Sequence, residues 1–384
     1  ATGIGSAEAI DTAVVTLSAT NTGATGNISI VEANDVTVAA LKQTGASAGT
    51  VTLVSTAGGI ALNDGAVLSN AGLITLTAAT TITDADAGAT ASITGTGQAT
   101  LSAATGIGSA EAIDTAVVTL SFSNTTNAVQ VINTLVGGLT VSGTNAGPGA
   151  VNITETAGNL TVGASDITTN SGAVTLTASA ANADIISALN SDIVTTGGPT
   201  AGAAVTLQAD NIDLAGLITA GTGLVTLRPN ADAVAIQVGA TAADGVATLG
   251  ITDAELDRIT TIGGVTIGST TNTGGITVVG AADQATGATI TGGTFTLRSN
   301  SGPIVVNAAL SNAVDTTLQT TSGNISFGAA GAVTAGRASE DPKRSVLLLE
   351  AGPYYPTTEQ MPYDLLNGND NSYYAHDWHY EVET

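Results

Sequence analysis

The feature that most constrains this chain is a three-residue unit, apolar–Thr–apolar, that returns from the N-terminal end to about residue 300. It stands at Val15-Thr16-Leu17, Val36-Thr37-Val38, Val51-Thr52-Leu53, Ile74-Thr75-Leu76, Ala99-Thr100-Leu101 and Val118-Thr119-Leu120, and it continues through Val174-Thr175-Leu176 and Val225-Thr226-Leu227 to Phe295-Thr296-Leu297. A period of two places the flanking residues on one face and the threonine on the other, so each unit is the centre of a short strand with threonine outward. Gly, Asn, Asp or Ser follows each strand and turns the chain. Helix signals are nearly absent.

Residues 1–18, ATGIGSAEAIDTAVVTLS, recur without a change at 104–121. That identity records a duplication. Five steps of the shorter rhythm fit between the copies, about one every 21 residues, a period that belongs to solenoids. Such a strand cannot bury its inner face alone. Stacked coils bury it and pair its backbone groups, so the expected fold is all-β: a right-handed parallel β-helix over residues 1–325, with one short strand per repeat and about fifteen coils at a spacing of about 4.8 Å. Thr and Asn in register along successive coils can form hydrogen-bonded ladders.

Composition agrees. The 384 residues are 43% hydrophobic but only 3% aromatic, with 48 glycines, so the interior is thin rather than wide. Charged residues at 10% exclude disorder driven by charge. A net charge of −24 argues against nucleic acid or an anionic membrane as partner. The absence of cysteine excludes disulfides, thiolate metal sites and a cysteine nucleophile. No run approaches the length of a transmembrane span. The chain opens at Ala1 with no charged-then-apolar leader, as an internal fragment would.

The last sixty residues have another character. All six tyrosines, Trp378, His376, His379 and Met361 lie between 354 and 384. Residues 1–324 contain two aromatics, Phe122 and Phe295, and four basic residues, Lys42, Arg228, Arg258 and Arg298, against 22 acidic ones. The shift marks a domain boundary near 325/326, or a splice between unrelated genes.

The phrases Gly26-Asn27-Ile28-Ser29-Ile30, Gly158-Asn159-Leu160-Thr161-Val162 and Gly323-Asn324-Ile325-Ser326-Phe327 carry a resemblance over residues 1–330 to the β-helix repeats of large bacterial exoproteins, the filamentous-haemagglutinin and autotransporter-type adhesins. The resemblance implies an extracellular or cell-surface protein that touches a glycan or protein ligand. Enzymes built on parallel β-helices need clustered carboxylates, usually with Arg or Lys beside them. Here the acids are scattered and residues 1–324 hold no histidine. Asp84 and Asp86 can share a face and bind calcium weakly, although such residues are more often solvated turn positions. Residues 251–259 form the best helix candidate, capped by Thr252 or Asp253. An ice-binding array needs two outward threonines per coil, and the motif supplies one. The repeat array is therefore expected to carry no catalytic residue, metal or cofactor.

From Gly328 the pattern changes again. The run Ser345-Val346-Leu347-Leu348-Leu349 reads as a strand buried on both faces, and Glu350 lies 19 residues beyond Gly331. That is the layout of a dinucleotide-binding βαβ unit. Residues Arg337 to Pro342, Ser345 to Pro353 and Tyr374 to Tyr380 resemble the N-terminal region of glucose-methanol-choline (GMC) flavin oxidoreductases. The similarity covers 328–384, inside a truncated Rossmann-like segment 326–384, and implies FAD. By that resemblance Gly328 and Gly331 match the second and third glycines of the pyrophosphate fingerprint, and Glu350 matches the acid on the adenosine ribose. Ser326 takes the place of the first glycine, and the strand before it reads as one more coil. The family's substrate domain and catalytic region would lie beyond Thr384, so FAD is not expected to bind this fragment, and His376 and His379 read as polar residues of an aromatic-rich segment. Two functions follow: a structural or adhesive solenoid segment of a bacterial surface or secreted protein, or a fragment of an FAD-dependent alcohol oxidoreductase fused to the repeats.

Overall fold

The computed structural model describes residues 3–45, 49–86, 88–108, 111–196, 201–283, 290–311 and 314–327. They form a parallel β-solenoid of about thirteen coils. Every pairing between its named strands is parallel, and the one helix among the described residues is the four-residue turn Asp253–Leu256.

Stacked side chains show how the coils are built. Val36 pairs in register with Ile60, Ile60 with Ile82, Ile82 with Ile107, and Ile107 with Val129. The same column continues through Val151, Val174, Val205, Val225 and Val265 to Phe295. All eleven are buried, none more than 3% exposed. Each such side chain taken from water is worth about 1.5–3 kcal/mol. A second column runs Ile4, Ile28, Val51, Ile74, Ala99 and Leu120, and a third runs Leu41, Val67 and Ile93.

The expected alternation is present. Strands Val51–Ser55, Val129–Asn133, Val151–Glu155 and Val174–Ala178 each bury their first, third and fifth residues and leave the second and fourth half-buried. Threonines stack in register over six strands, from Thr175 through Thr206, Thr226, Thr266 and Thr296 to Thr317. Val15 and Val118, the same residue of the two duplicated copies, break the rule and are exposed.

The expectation of one strand per coil is corrected. Val36-Thr37-Val38 and Val51-Thr52-Leu53 belong to different columns of the same coil, so the motif marks strands on more than one face. True coil steps along the first column are 24, 22, 25, 22, 22 and 23 residues between Val36 and Val174. The later step from Val225 to Val265 is longer because it takes in the extra paired strands Ala235–Val238 and Thr248–Ile251 and the helical turn. The duplicated segments stand 103 residues apart, not a whole number of these coil steps, and so land on different columns. Ile4 stacks on Ile28, whereas Ile107 stacks on Ile82 and Val129.

Two aromatic rings are buried in this interior, Phe295 stacked on Val265 and Phe122 beside a glycine. Phe122 pairs with Gly143, where a Cβ would lie 2.6 Å from the ring. The last described strand, Ile325–Phe327, pairs with Ile304–Val306, so the stack continues through Phe327. Residues 328–384 lie outside the described residues, and the expected Rossmann-like fragment with them.

Candidate functional site

Polar side chains gather where strands end and the chain turns. The asparagine of the Gly-Asn-apolar phrase has a definite task there. Asn27 Oδ1 accepts the backbone N–H of Thr50 at 3.0 Å, and Asn159 Oδ1 accepts that of Asp184 at 3.0 Å, each on the following coil. Aspartates before other strands do the same: Asp35 accepts from Gly59, Asp166 from Asp192, and Asp192 from Leu217. Each closes a backbone donor that the turn would leave unpaired.

Hydroxyls and amides at the inner corners complete the device. Ser55 Oγ donates to the Asn34 carbonyl and accepts from the Gly58 N–H, and Ser69 makes the matching pair with Gly49 and Gly72. Asn124 donates to Asn145 Oδ1 at 3.1 Å, a rung of the amide ladder foreseen above.

Two glutamates are buried completely. Glu32 accepts from the Thr12 hydroxyl at 2.7 Å and from the backbone of Val14, Ala33 and Asn34. Burial pushes its carboxyl up, but these donors outweigh it and hold the group below the ordinary carboxylate range. Glu155 accepts from Asn133 Nδ2 at 2.6 Å and from Ala157 N–H; here burial dominates and its carboxyl is raised. Beside the second duplicated copy Asn133 stands where Glu32 does beside the first, each in register with the copy's threonine. Thr115 and the Val117 N–H donate to Asn133 Oδ1 as Thr12 and the Val14 N–H donate to Glu32.

A groove of about 500 Å³ is lined by Asp184, Asn211, Asp213, Asp244, Thr252 and Glu255 among others. Residues 251–259 were expected to be helical, and Asp253–Leu256 are. Thr252 is the N-cap: its side chain accepts from the Glu255 N–H, while Glu255 accepts from the Thr252 backbone, a capping box. Glu255 also accepts the Leu214 N–H at 3.1 Å, so it ties the helical turn to a neighbouring strand. Asp184 accepts from Asn159 and Asn211 side chains at 3.0 and 2.8 Å, and Asp244 accepts the Gly250 N–H at 2.7 Å. The acids that line the groove are largely occupied in holding it.

Asp84 and Asp86 do not form a shared pair aimed at solvent. Asp84 accepts the Asp86 N–H and the Ser92 hydroxyl, while the Asp86 carboxylate accepts the Asp64 N–H on the preceding coil. Among the described residues no three metal-ligating side chains converge on one point, and no helix is long and apolar enough to cross a membrane. Gly328, Gly331, Glu350, His376 and His379 lie outside the described residues. What the residue patterns alone missed is the buried Asp114, whose neighbours come from other coils.

Compared with protein-family models, with curated proteins and with solved structures, the chain matches none.

Proposed function

We propose that residues 1–325 are a structural or adhesive segment of a large bacterial surface or secreted protein, without catalysis of its own. The observation that carries this reading is the use to which the polar groups are put. Asn27, Asp35, Asn159, Asp166 and Asp192 each hold the backbone of the next coil, and Glu32, Glu155 and Glu255 hold turns. Side chains so engaged stiffen a scaffold and leave little for acid–base chemistry. A right-handed coil is the natural form of such parallel connections. The partner in this reading is a glycan or protein at the cell surface. Antibody labelling of intact producing cells tests the location: labelling only after lysis overturns it.

The alternative, a GMC-type flavoprotein fragment, rests on residues 328–384 alone, with Gly328 and Gly331 at the pyrophosphate and Glu350 at the ribose. The purified chain separates the two readings. A β-rich circular dichroism spectrum without absorbance near about 450 nm, where a bound flavin absorbs by its own electronics, is the result expected. A stoichiometric yellow chain would establish the flavoprotein reading instead.

A further inference from the structure

On the outer side of the first column, the strands from Val174–Ala178 to Asp315–Thr320 present two rows of residues. One is the row of six stacked threonines. The other, two residues further along each strand, is Thr177, Gln208, Arg228, Gly268, Arg298 and Gln319. The only acid in these six strands is Asp315, at the start of the last. In a chain with 31 acidic and 7 basic residues, this face thus gathers two arginines and a single carboxylate. Among the described residues neither arginine is paired with an acid. Arg228 Nη2 donates to Gln208 Oε1 at 2.6 Å, and its Nε is buried with no hydrogen-bond partner. Arg298 directs both Nε and Nη2 at one oxygen, Gln319 Oε1, at 2.9 and 2.7 Å. Each planar fork is shaped for two acceptors and meets a single neutral one. The glutamines lie on the preceding and the following coil, and Gly268 puts no side chain between the two arginines.

We infer that this face binds an acidic polysaccharide through its carboxylates, with Arg228 and Arg298 as the two anchors. The inference rests on the adhesive reading above and names its class of ligand. A uronate carboxylate brings two oxygens to the Nε–Nη2 edge where a glutamine brings one, and charge-assisted bonds are about twice as strong as neutral ones. It also satisfies the Arg228 donor that is otherwise buried and unpaired. The arginines are two coils apart, about 10 Å at a strand spacing of about 4.8 Å, so one extended polyanion spans both. Thr206 and Thr226, half-buried in the neighbouring row, offer hydroxyls to those of a sugar. Neither row holds an aromatic or aliphatic side chain, so the face lacks the apolar anchor points on which a peptide partner depends. At physiological salt charges beyond about 8 Å are largely screened. A bound carboxylate therefore meets the two arginines rather than the net charge of −24.

The full 384-residue chain is titrated by calorimetry with oligogalacturonate at about 0.15 M salt. The fully methyl-esterified oligomer keeps the sugar without the charge, and an oligo-aspartate peptide keeps the charge without the sugar. Saturable binding of the uronate alone is expected. R228Q and R298Q should each weaken it about tenfold or more, and R228K, which keeps the charge but not the fork, should stay weak. R258Q removes a charge outside these six strands, just before Ile259–Thr261, and should bind as the parent does. Circular dichroism checks that each variant is folded, and the two arginines read the same face from different coils. The absence of saturable binding at millimolar oligomer overturns the proposal. So does equal binding of the ester, a site that survives both R228Q and R298Q, or a loss as large in R258Q. Oligo-aspartate bound as tightly as the uronate overturns the assignment to a glycan. Labelling of intact cells tests the adhesive reading separately, since it reports where the chain is displayed and not what this face binds.

Discussion

Asp11 and Asp114 share an identical stretch of eighteen residues, yet Asp11 is exposed and Asp114 is buried. Ile93–Ala103 of the preceding coil pairs along Thr115 to Asn124 and, with Ser92, closes over the second copy. The first copy, on the first described coil, pairs with a neighbour on one side only. Identical local chemistry thus meets two environments.

The buried member should make stability depend on pH. Burial first, then the charges of Asp84, Glu111 and Asp64, push the Asp114 carboxyl up to about 6. The folded chain therefore holds that proton more tightly than the unfolded one. The stabilisation is fully present below the unfolded value of 3.8 and is lost as pH rises through about 6. Asp114→Asn should flatten urea-unfolding stability over this window and raise it at pH 7 by on the order of 2 kcal/mol.

Glu32 should show the opposite sign. Its carboxyl lies below the ordinary value of 4.5, so its contribution is present above that value and is lost as pH falls through the lower folded one. Glu32→Ala leaves the Thr12 hydroxyl and the Val14 N–H without their acceptor and should cost about 2–3 kcal/mol at pH 7. The deficit should shrink in acid, as chemical denaturation at pH 7 and pH 3 would show.

Gly143→Ala tests the close approach beneath Phe122. The added Cβ would stand 2.2 Å from the Phe122 carbonyl oxygen and 2.6 Å from its ring. Overpacking here should destabilise the chain by about 3 kcal/mol or more. Combining it with Phe122→Leu should recover only part of the loss, because the clash with the carbonyl remains.

Interior and exposed valines of the same motif should differ. Val151→Ala empties space in a column that is buried throughout and should cost about 2 kcal/mol. Val15→Ala, at a position 80% exposed, should change stability by less than about 0.5 kcal/mol. Equal losses at the two sites would contradict the stacking described for this solenoid.

Much of this fold is legible along the chain. Val151-Asn152-Ile153 and Val174-Thr175-Leu176 announce strands because alternation follows from the geometry of an extended backbone. Thr252 and Glu255 announce a capping box because its partners are three residues apart. The coil step was less legible. A period-two pattern says which side chains face inward but not which face of a coil a strand occupies, so Val36 and Val51 read as successive coils while they belong to one.

Along the chain itself, alternating Val, Ile and Leu announce short strands, and their return at a solenoid's spacing with almost no aromatic residues announces a stack with a thin aliphatic interior. The tertiary structure added that Asp84 holds the Asp86 N–H and the Ser92 hydroxyl, that Asn27 and Asn159 hold the next coil, and that one copy of a repeated aspartate is buried while the other is not. The physical reason is that strand formation depends on backbone geometry within a few residues. Burial, charge pairing and hydrogen-bond partners depend on residues about a coil away, whose identity a local pattern does not carry.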